Sequence, residues 1–433
     1  MEKHWTKLGI TALNSMQETA ISTILTEDNT LLLSPTGSGK TLAYLLPFVQ
    51  LLKTDNKQIQ AIILVPTREL ALQVESVWRS LGTGFKLNAF YGGHTMDVEI
   101  KSLAEPPAIL VGTPGRIADH FTRNTIEAES IQTLVFDEFD QSLQMGFHDQ
   151  IRYILAQTPS RKKHIFISAT QGISLPDFLR VADVKVLDYL NEKATAETGF
   201  SLFQVKTNNK VQALLGLLGQ LSPAATLVFC NQRDTVEDIA AALYRQEIPC
   251  GIFHGKMEQI DREKALIRFR NGSTRYLVTT DLAARGLDIP DVAHVIHFQL
   301  PDHEQEFTHR NGRTARMHAE GSAYVLITPE EKIPYYIPEG LVELKIQTPT
   351  RPPKIIEWTT IYISGGKKDK VSKMDIVGFF VQKGQIPKEA IGRIEVQDFA
   401  TYVGVRSSVV NQLLQNIQPY KMKGKKWKIE VAR

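Results

Sequence analysis

Cysteine is scarce in this sequence: the chain of 433 residues contains two, Cys230 and Cys250. Their spacing builds neither a disulfide framework nor a zinc site, so the class of small, disulfide-stabilised secreted proteins is excluded. The expectation is therefore a protein with reduced thiols, located in the cytoplasm.

Long hydrophobic runs are also missing. The longest, residues 42–52, contains Pro47 and Gln50 and is too short to span a bilayer. The first residues, Met-Glu-Lys-His-Trp, lack the apolar stretch of a secretory signal. We expect no membrane partner.

Net charge is small, at +3, but it is unevenly distributed. Residues 354–433 contain fifteen Lys and Arg against seven Asp and Glu, whereas the rest of the chain is mildly acidic. A basic module beside an acidic body indicates a polyanion partner, and a solvated basic surface would give the same count. With 42% apolar residues, the chain is long enough for two or three globular domains.

A glycine-bearing turn, residues 34–41 (Ser-Pro-Thr-Gly-Ser-Gly-Lys-Thr), follows a short apolar run and precedes a helical pattern. Strand, turn and helix in this order are the context of a phosphate-binding loop, although the first glycine of the usual pattern is missing. Gly37 and Gly39 allow several backbone N–H groups to point at one anion. Lys40 can reach the β- and γ-phosphates, and the Thr41 hydroxyl can bind Mg²⁺.

Short apolar runs at residues 61–65, 108–111, 133–136 and 164–167 alternate with helical stretches. This rhythm predicts a parallel sheet covered by helices on both faces. Ligands of such sheets lie at the carboxyl ends of the strands, where the polar clusters of this sequence fall. Upstream, Gln17 is either a residue of a surface helix or an amide that reads the edge of adenine.

Asp137 and Glu138 directly follow one of these runs. The first carboxylate can hold Mg²⁺ and the second can polarise an attacking water. Adjacent acids at a strand end are otherwise common in caps and turns. Their position after a phosphate loop in the same sheet favours the metal-and-base interpretation.

A second strand–helix series follows a polar linker at residues 191–199 and has no phosphate loop of its own. Arg313 and Arg316 lie three residues apart on a predicted helix, so they share one face. We expect them to act as arginine fingers that reach a γ-phosphate across a cleft. Two solvated surface arginines are the alternative.

Beyond a proline-rich joint at residues 348–353, the last 80 or so residues show a β-α-β-β-α-β order. This order is typical of the ferredoxin-like sandwich that RNA-recognition modules use. Tyr362 and Tyr402 occupy strand positions from which they could either stack on bases or pack in the core. Lys367, Lys368 and Lys370 are the preferred RNA contacts.

The ordered motifs of residues 8–330 resemble those of the DEAD-box RNA helicases. They comprise residues 34–41, 66–70, 92–93, 113–116, 137–140, 168–170, 259–262, 279–288 and 309–316. The tail, with residues 365–370 and 401–405, resembles the RNA-binding domain of the bacterial DbpA group. The resemblance implies two RecA-like parallel-sheet lobes, at residues 1–190 and 200–347, followed by a small ferredoxin-like (RRM-like) α+β domain at residues 355–433.

The resemblance also implies an ATP-dependent RNA-unwinding enzyme with ATP and Mg²⁺ as cofactors. The residues it assigns to nucleotide binding are Gln17, Thr36, Gly37, Ser38, Gly39, Lys40, Thr41 and Asp288, with Thr41 and Asp137 on the metal. The resemblance assigns catalysis to Lys40, Asp137, Glu138, Arg313 and Arg316. It assigns the coupling of hydrolysis to RNA to Ser168 and Thr170. The residues expected to contact RNA are Arg68, Gly93, Thr113, Arg116, Arg262 and Thr279, together with Lys367, Lys368, Lys370 and Tyr402 of the tail.

Backbone contacts are blind to sequence, so RNA specificity would come from the tail. In the DbpA group that tail is tied to a large-subunit ribosomal RNA hairpin, which implies a monomeric factor acting on 23S ribosomal RNA in pre-ribosomal particles. The alternative is an ATP-gated RNA chaperone or clamp that binds this RNA without productive unwinding.

The sequence departs from the family pattern at several positions. Phe139 replaces the family's Ala and places a ring beside the coupling residues, which we expect to change the rate more than the activity. Asn311 and Ala315 replace Ile and Gly, changes that we expect to be tolerated. The chain starts too late for the aromatic that family members place upstream of Gln17, so stacking on adenine would be lost or come from another residue.

Overall fold

The computed structural model describes residues 2–35, 37–93, 95–159, 162–170, 175–179, 181–190, 200–284, 292–314, 321–346 and 356–432. These residues form two compact units, one of residues 2–190 and one of residues 200–432. The first unit is called the first lobe. The second unit contains the second lobe, residues 200–346, and the C-terminal domain, residues 356–432. Among the described residues, no helix combines the length and the apolar character needed to cross a membrane.

The first lobe is a seven-stranded parallel sheet in the order β3-β4-β2-β5-β6-β1-β7. Its strands are β1 (Asn29–Leu33), β2 (Ala61–Leu64), β3 (Leu87–Phe90), β4 (Ile109–Gly112), β5 (Thr133–Phe136), β6 (Lys163–Ser168) and β7 (Lys185–Asp188). Its helices are α1 (Glu2–Trp5), α2 (Ser15–Thr26), α3 (Lys40–Leu45), α4 (Phe48–Leu51), α5 (Arg68–Leu81), α6 (Met96–Ser102), α7 (Pro114–Thr122), α8 (Phe139–Gln144) and α9 (His148–Gln157).

Helices cover both faces of this sheet, so its central strands are buried along their whole length. One face packs against α2, α3 and α5, and the other packs against α7, α8 and α9. The near-continuous apolar strands of the sequence follow from burial on both sides. Because all the strands are parallel, the residues that follow them meet along one edge of the sheet.

The second lobe repeats the plan, with a seven-stranded parallel sheet in the order β10-β11-β9-β12-β13-β8-β14. Its strands are β8 (Phe200–Lys206), β9 (Thr226–Phe229), β10 (Cys250–Phe253), β11 (Tyr276–Thr279), β12 (His294–His297), β13 (Gly321–Ile327) and β14 (Val342–Glu343). Its helices are α10 (Lys210–Gln220), α11 (Arg233–Arg245), α12 (Gln259–Arg270) and α13 (Glu304–Asn311).

The C-terminal domain is a four-stranded antiparallel sheet in the order β16-β17-β15-β18, with two helices on one face. Its elements, in chain order, are β15 (Trp358–Ile363), α14 (Lys373–Gln382), β16 (Ile391–Val396), β17 (Thr401–Arg406), α15 (Val410–Ile417) and β18 (Ile429–Val431). The predicted β-α-β-β-α-β order and the two parallel-sheet lobes are confirmed. The predicted domain boundaries fall on residues 191–199 and 347–355, which lie outside the described residues, so the boundaries stay predictions.

Candidate functional site

The phosphate loop lies between β1 and α3, as predicted. Gly37 and Gly39 adopt φ values of +86° and +89°, a left-handed backbone that glycine enters without strain. A Cβ atom at Gly39 would lie 2.3 Å from the Gln17 side-chain nitrogen, so a side chain there would be strained by the positive φ and would displace the Gln17 amide. The Lys40 ammonium donates to the Ser34 carbonyl at 2.8 Å and thereby lies across the loop. These contacts hold the loop in a curled conformation around the lysine.

Gln17 is not a surface residue: its side chain is 7% exposed and its amide faces the loop. The amide nitrogen donates to the Gly39 carbonyl at 3.3 Å, and the amide oxygen accepts from the Asn14 N–H at 3.1 Å. Asn14 in turn caps α2 by accepting from the Gln17 N–H at 2.8 Å. Gln17 therefore joins the start of α2 to the phosphate loop, and its contact with adenine stays a prediction.

The carboxylate of Asp137 lies at the end of β5 and is 4% exposed. It accepts from the Tyr44 hydroxyl at 2.8 Å and from the Glu138 N–H at 2.9 Å. Burial raises the pKa of Asp137, while the bond from Tyr44 and the charge of Lys40 act in the opposite direction. The carboxylate is thus held ready by two donors and a nearby ammonium.

Tyr44 is the residue that sequence reasoning missed at this centre. Its hydroxyl donates to the Asp137 carboxylate, and Thr41, the other residue predicted to bind Mg²⁺, lies three residues earlier on the same helix, α3. Burial raises the pKa of Tyr44 well above its usual value, and the neighbouring Asp137 adds to the effect. A carboxylate and a hydroxyl are the hard oxygen donors that Mg²⁺ takes beside substrate phosphates, so the residues fit that ion.

Glu138 has a φ of +46°, which is unusual for a residue with a side chain. Such a backbone conformation costs free energy and is found where the surrounding structure requires a particular side-chain placement. Glu138 stands between the Asp137 carboxylate and the first residue of α8. Its position next to the predicted metal ligand suits a base that orients water.

Ser168 and Thr170 connect this centre to the phosphate loop. The Ser168 carbonyl accepts from the Ser34 N–H at 3.0 Å, and the Ser168 hydroxyl accepts from the Thr170 N–H at 3.1 Å. The Thr170 hydroxyl donates to Asp140. One chain of hydrogen bonds therefore runs from the loop through the end of β6 to the residues after β5, which is what a coupling role needs.

Phe139 does not lie beside the coupling residues as expected. Its ring is fully buried in the core, in edge contact with Phe136 and Phe166 at centroid distances of 5.7 and 5.2 Å. Its neighbour Asp140 is the residue that contacts Thr170. The extra volume relative to Ala is thus absorbed by the hydrophobic core.

Four of the predicted RNA contacts come together around residues 91–93, just after β3. Arg68 stacks over the Tyr91 ring at 4.4 Å from its centroid, and a Cβ atom at Gly93 would lie 2.6 Å from the guanidinium. Arg116 donates to the Tyr91 carbonyl at 3.1 Å. Thr113 precedes α7 and is bonded through its N–H to the Phe90 carbonyl.

A buried carboxylate, that of Glu99, organises this cluster, and no pattern in the sequence predicted it. Glu99 pairs with Arg116 at 3.3 Å, contacts the His120 ring nitrogen at 2.8 Å and accepts from the Tyr91 N–H at 3.1 Å. The arginine heads are therefore held at fixed positions. Preformed cations of this kind suit a phosphate backbone.

In the second lobe, Arg310 forms a buried polar centre that was not predicted. It is fully buried, makes two hydrogen bonds to Asp281 at 2.6 and 2.8 Å, and contacts Asn231 at 2.9 Å. Arg313 was predicted to lie on a helix, but α13 ends at Asn311 and Arg313 lies in the turn that follows. It is 3% exposed, so it is not the solvated surface arginine of the alternative. Its role as an arginine finger stays a prediction.

Three predicted site residues, Thr36, Asp288 and Arg316, lie outside the described residues. Thr279 does not offer its hydroxyl to solvent, because it is fully buried and donates to the Phe253 carbonyl at 2.9 Å. The Arg262 guanidinium is partly buried on α12 and donates to Gln259.

In the C-terminal domain, the three predicted lysines, Lys367, Lys368 and Lys370, are exposed on the loop between β15 and α14. Tyr402, by contrast, is 2% exposed and packs with Ile267 and Ala432. Of the two alternatives for Tyr402, the structure shows packing, and its ring has no face available to a base.

Comparisons with known proteins agree with this geometry. Residues 14–178 match the family model of the DEAD/DEAH box helicase, residues 209–318 that of the Helicase conserved C-terminal domain, and residues 360–431 that of the DbpA RNA binding domain. The chain is 33% identical over 438 residues to the ATP-dependent RNA helicase DbpA of Escherichia coli, covering 99% of this chain and 96% of the relative. It is 31% identical over 462 residues to DbpA of Bacillus subtilis, covering 98% and 96%.

Solved structures show the same fold. S. cerevisiae Dbp5 bound to RNA and ADP BeF3 superimposes with a TM-score of 0.68 at 25% identity, covering 76% of this chain and 87% of that one. The DEAD-box helicase Mss116 bound to ssRNA and UDP-BeF gives 0.67 at 26% identity, covering 76% and 72%. The chain therefore belongs to the DEAD-box family of ATP-hydrolysing RNA helicases, in the group that carries a DbpA RNA binding domain.

Proposed function

We propose that this helicase acts on large-subunit ribosomal RNA, opens short duplexes there during subunit assembly, and uses Mg²⁺ with ATP. The observation that carries the proposal is the hydrogen-bonded path of the first lobe, which joins the phosphate loop to Ser168, Thr170 and Asp140. The target RNA is proposed from the DbpA RNA binding domain and its exposed lysines. We propose that the enzyme works as a monomer in the cytoplasm, where this RNA is assembled into ribosomal subunits.

Lys40 and the loop glycines would bind the polyphosphate. In the structure the Lys40 ammonium is bonded to the Ser34 carbonyl, so it has to exchange this partner for phosphate oxygens. Thr41 and Asp137 would hold Mg²⁺, which when bound neutralises charge on the phosphates. The Tyr44 hydroxyl would keep the Asp137 carboxylate in place, since it donates to that carboxylate.

Glu138 would orient the attacking water and accept its proton at a carboxylate oxygen. The chain from Ser34 to Asp140 gives the centre a route by which RNA contacts can alter the position of that carboxylate. The cluster of Arg68 and Arg116 would hold the RNA backbone on the same lobe. Hydrolysis would thereby depend on bound RNA.

Steady-state ATP hydrolysis by the full-length protein tests the proposal. We expect the rate to rise strongly with large-subunit ribosomal RNA, less with an unrelated RNA of equal length, and not with DNA. Equal rates with and without RNA would contradict the coupling. Equal rates with both RNAs would contradict the proposed specificity for ribosomal RNA, while the assignment as an RNA helicase would stand.

The role of the exposed lysines is tested by replacing Lys367, Lys368 and Lys370 with alanine. Binding of ribosomal RNA should weaken, and the slope of log affinity against log salt should fall by about 2, because each phosphate contact contributes roughly 0.7 to 0.9. The matched control replaces Lys53, Lys57 and Lys185, which are exposed near the amino ends of β2 and β7, away from the site edge. An equal loss in both variants would assign the effect to net charge.

A further inference from the structure

The sheet of the C-terminal domain has two faces, and only one of them is covered by the helices of that domain. Side chains alternate along β15 and β17, so Ile361, Ile363 and Val403 point into the core beneath α14 and α15. Thr360 and Tyr402 must then point to the opposite face. In a free module of this kind, that open face would be solvated.

In this structure the open face is buried. Thr360 is 1% exposed and Tyr402 is 2% exposed. The covering element is α12 of the second lobe, whose Ile267 packs against Tyr402 and Ala432. Helix α12 therefore takes the place that stacked bases would need, and RNA has to bind this domain elsewhere.

Polar contacts fix the register between α12 and the sheet. In the turn after α12, the Asn271 amide donates to the Thr360 hydroxyl at 3.2 Å, and the Ser273 hydroxyl lies 2.6 Å from the same oxygen. At the other side of the face, Arg270 pairs with Glu395 at 3.3 Å, with both side chains largely shielded from solvent. An apolar centre with polar contacts at its edges is the composition of a specific interface.

One further bond at this interface leads toward the RNA motif of the second lobe. The Gln397 amide donates to Glu263 at 3.0 Å, and Glu263 accepts from the Gln259 amide at 2.9 Å. Gln259 in turn accepts from the Arg262 guanidinium. The C-terminal domain thus contacts the group of side chains that holds Arg262.

The turn at residues 397–398, which contains Gln397, also supports the loop that carries Lys367, Lys368 and Lys370, here called the lysine loop. The carbonyl of Gln397 accepts from the Lys367 N–H at 2.8 Å, and the carbonyl of Asp398 accepts from the Lys368 N–H at 2.9 Å. Residues 397–398 therefore lie between the exposed lysines and the Glu263 carboxylate. A displacement of the lysine loop on RNA binding would be passed to this turn.

We propose that the Gln397–Glu263 contact couples RNA capture by the C-terminal domain to the position of Arg262. Gln397 and Glu263 are positioning residues and touch no substrate. The inference rests on the RNA-stimulated hydrolysis proposed above. It adds two positioning residues to that response.

The test exchanges the two partners. Gln397→Glu places two carboxylates against each other, whereas Gln397→Glu combined with Glu263→Gln restores a donor and an acceptor and keeps an acceptor for Gln259. The control is Gln412→Glu: Gln412 lies on α15 in the opposite layer and donates to the Gln385 carbonyl at 3.3 Å. All variants are made in the full chain.

We expect Gln397→Glu to bind purified large-subunit ribosomal RNA within twofold of the wild type, with RNA-stimulated kcat reduced about tenfold, the effect of roughly 1.4 kcal/mol. The double variant should regain the stimulation to within about twofold, as expected for residues that interact directly. ATP hydrolysis without RNA should stay unchanged in every variant. A normal response of Gln397→Glu, or a double variant no better than the single one, would overturn the proposal.

The Gln397–Glu263 contact has a second readout that needs no RNA. In a double-mutant cycle of Gln397→Glu and Glu263→Gln, followed by thermal unfolding, the double variant should unfold at a higher temperature than Gln397→Glu alone. Additive shifts would show that the two side chains do not interact and would overturn the proposed coupling. If the wild type itself does not respond to RNA, the proposed function fails, and this cycle still decides whether the two side chains interact.

Discussion

Replacing Phe139 with alanine would restore the usual family residue, and we expect it to destabilise the first lobe. The ring is fully buried and touches Phe136 and Phe166, which stack on each other at 4.9 Å. Truncating a buried Phe to Ala typically costs about 3 to 5 kcal/mol, because the cavity adds to the lost transfer free energy. Each lost edge contact between rings contributes about 0.5 to 1.5 kcal/mol of that total.

Urea unfolding of the full-length protein, followed by circular dichroism and by hydrogen exchange of the amides in β5 and β6, measures this change. The transition of the first lobe should move to lower urea, and the amides of β5 and β6 should lose protection by a matching amount. Phe139→Leu, which keeps most of the volume, should cost about 1 kcal/mol. A Phe139→Ala protein as stable as the wild type would refute the assignment of this ring to the core.

Three further outcomes are expected at the described centres. Glu138→Gln should still bind ATP and RNA but lose turnover in an ATPase assay, and retained turnover would remove Glu138 from its role. Tyr44→Phe should lower the unfolding free energy by about 1.5 to 3 kcal/mol, the contribution of a hydrogen bond to a charged group. It should also raise the Mg²⁺ concentration needed for nucleotide binding. No change in either quantity would mean that the hydroxyl does not hold Asp137. Burial and the charge of Arg310 lower the pKa of His297 to about 3. His297 is therefore neutral when folded, and the unfolded chain takes up a proton below about pH 6.5, so the unfolding free energy should drop by about 2 kcal/mol between pH 6.5 and pH 5. His297→Gln should flatten this pH dependence, and an unchanged slope would contradict it.

The strands that could be predicted from the sequence are those buried on both faces. The runs at β2, β5, β9 and β11 are continuous and apolar because helices cover both of their sides. Strand β7, with the sequence Lys-Val-Leu-Asp, lies at an edge of its sheet and is mostly exposed, so its pattern does not stand out. Strand β3 lies at the other edge, and only its two end residues, Leu87 and Phe90, are buried, so it forms no continuous apolar run.

The candidate site could be predicted as far as strand ends determine it. The carboxyl ends of parallel strands meet at one edge, which places the phosphate loop, Asp137 and Ser168 together before any coordinates are known. Tyr44 could not be found in this way, because its partner Asp137 is 93 residues away in the sequence and the two meet only through the packing of a helix on the sheet. Glu99 could not be found either, because its contact with His120, 21 residues away, also depends on how the helices pack. The burial of Tyr402 depends on contact with another domain, which the pattern of its own strand does not encode.

Strand displacement tests most directly whether the nucleotide centre drives work on RNA. A short RNA duplex joined to a large-subunit ribosomal RNA fragment is mixed with the wild type and with Glu138→Gln, each with ATP. We expect the wild type to release the short strand with ATP, and Glu138→Gln to bind the same RNA without repeated release. Multiple-turnover release by Glu138→Gln, or release by the wild type without nucleotide, would contradict the coupling of hydrolysis at Asp137 and Glu138 to RNA unwinding.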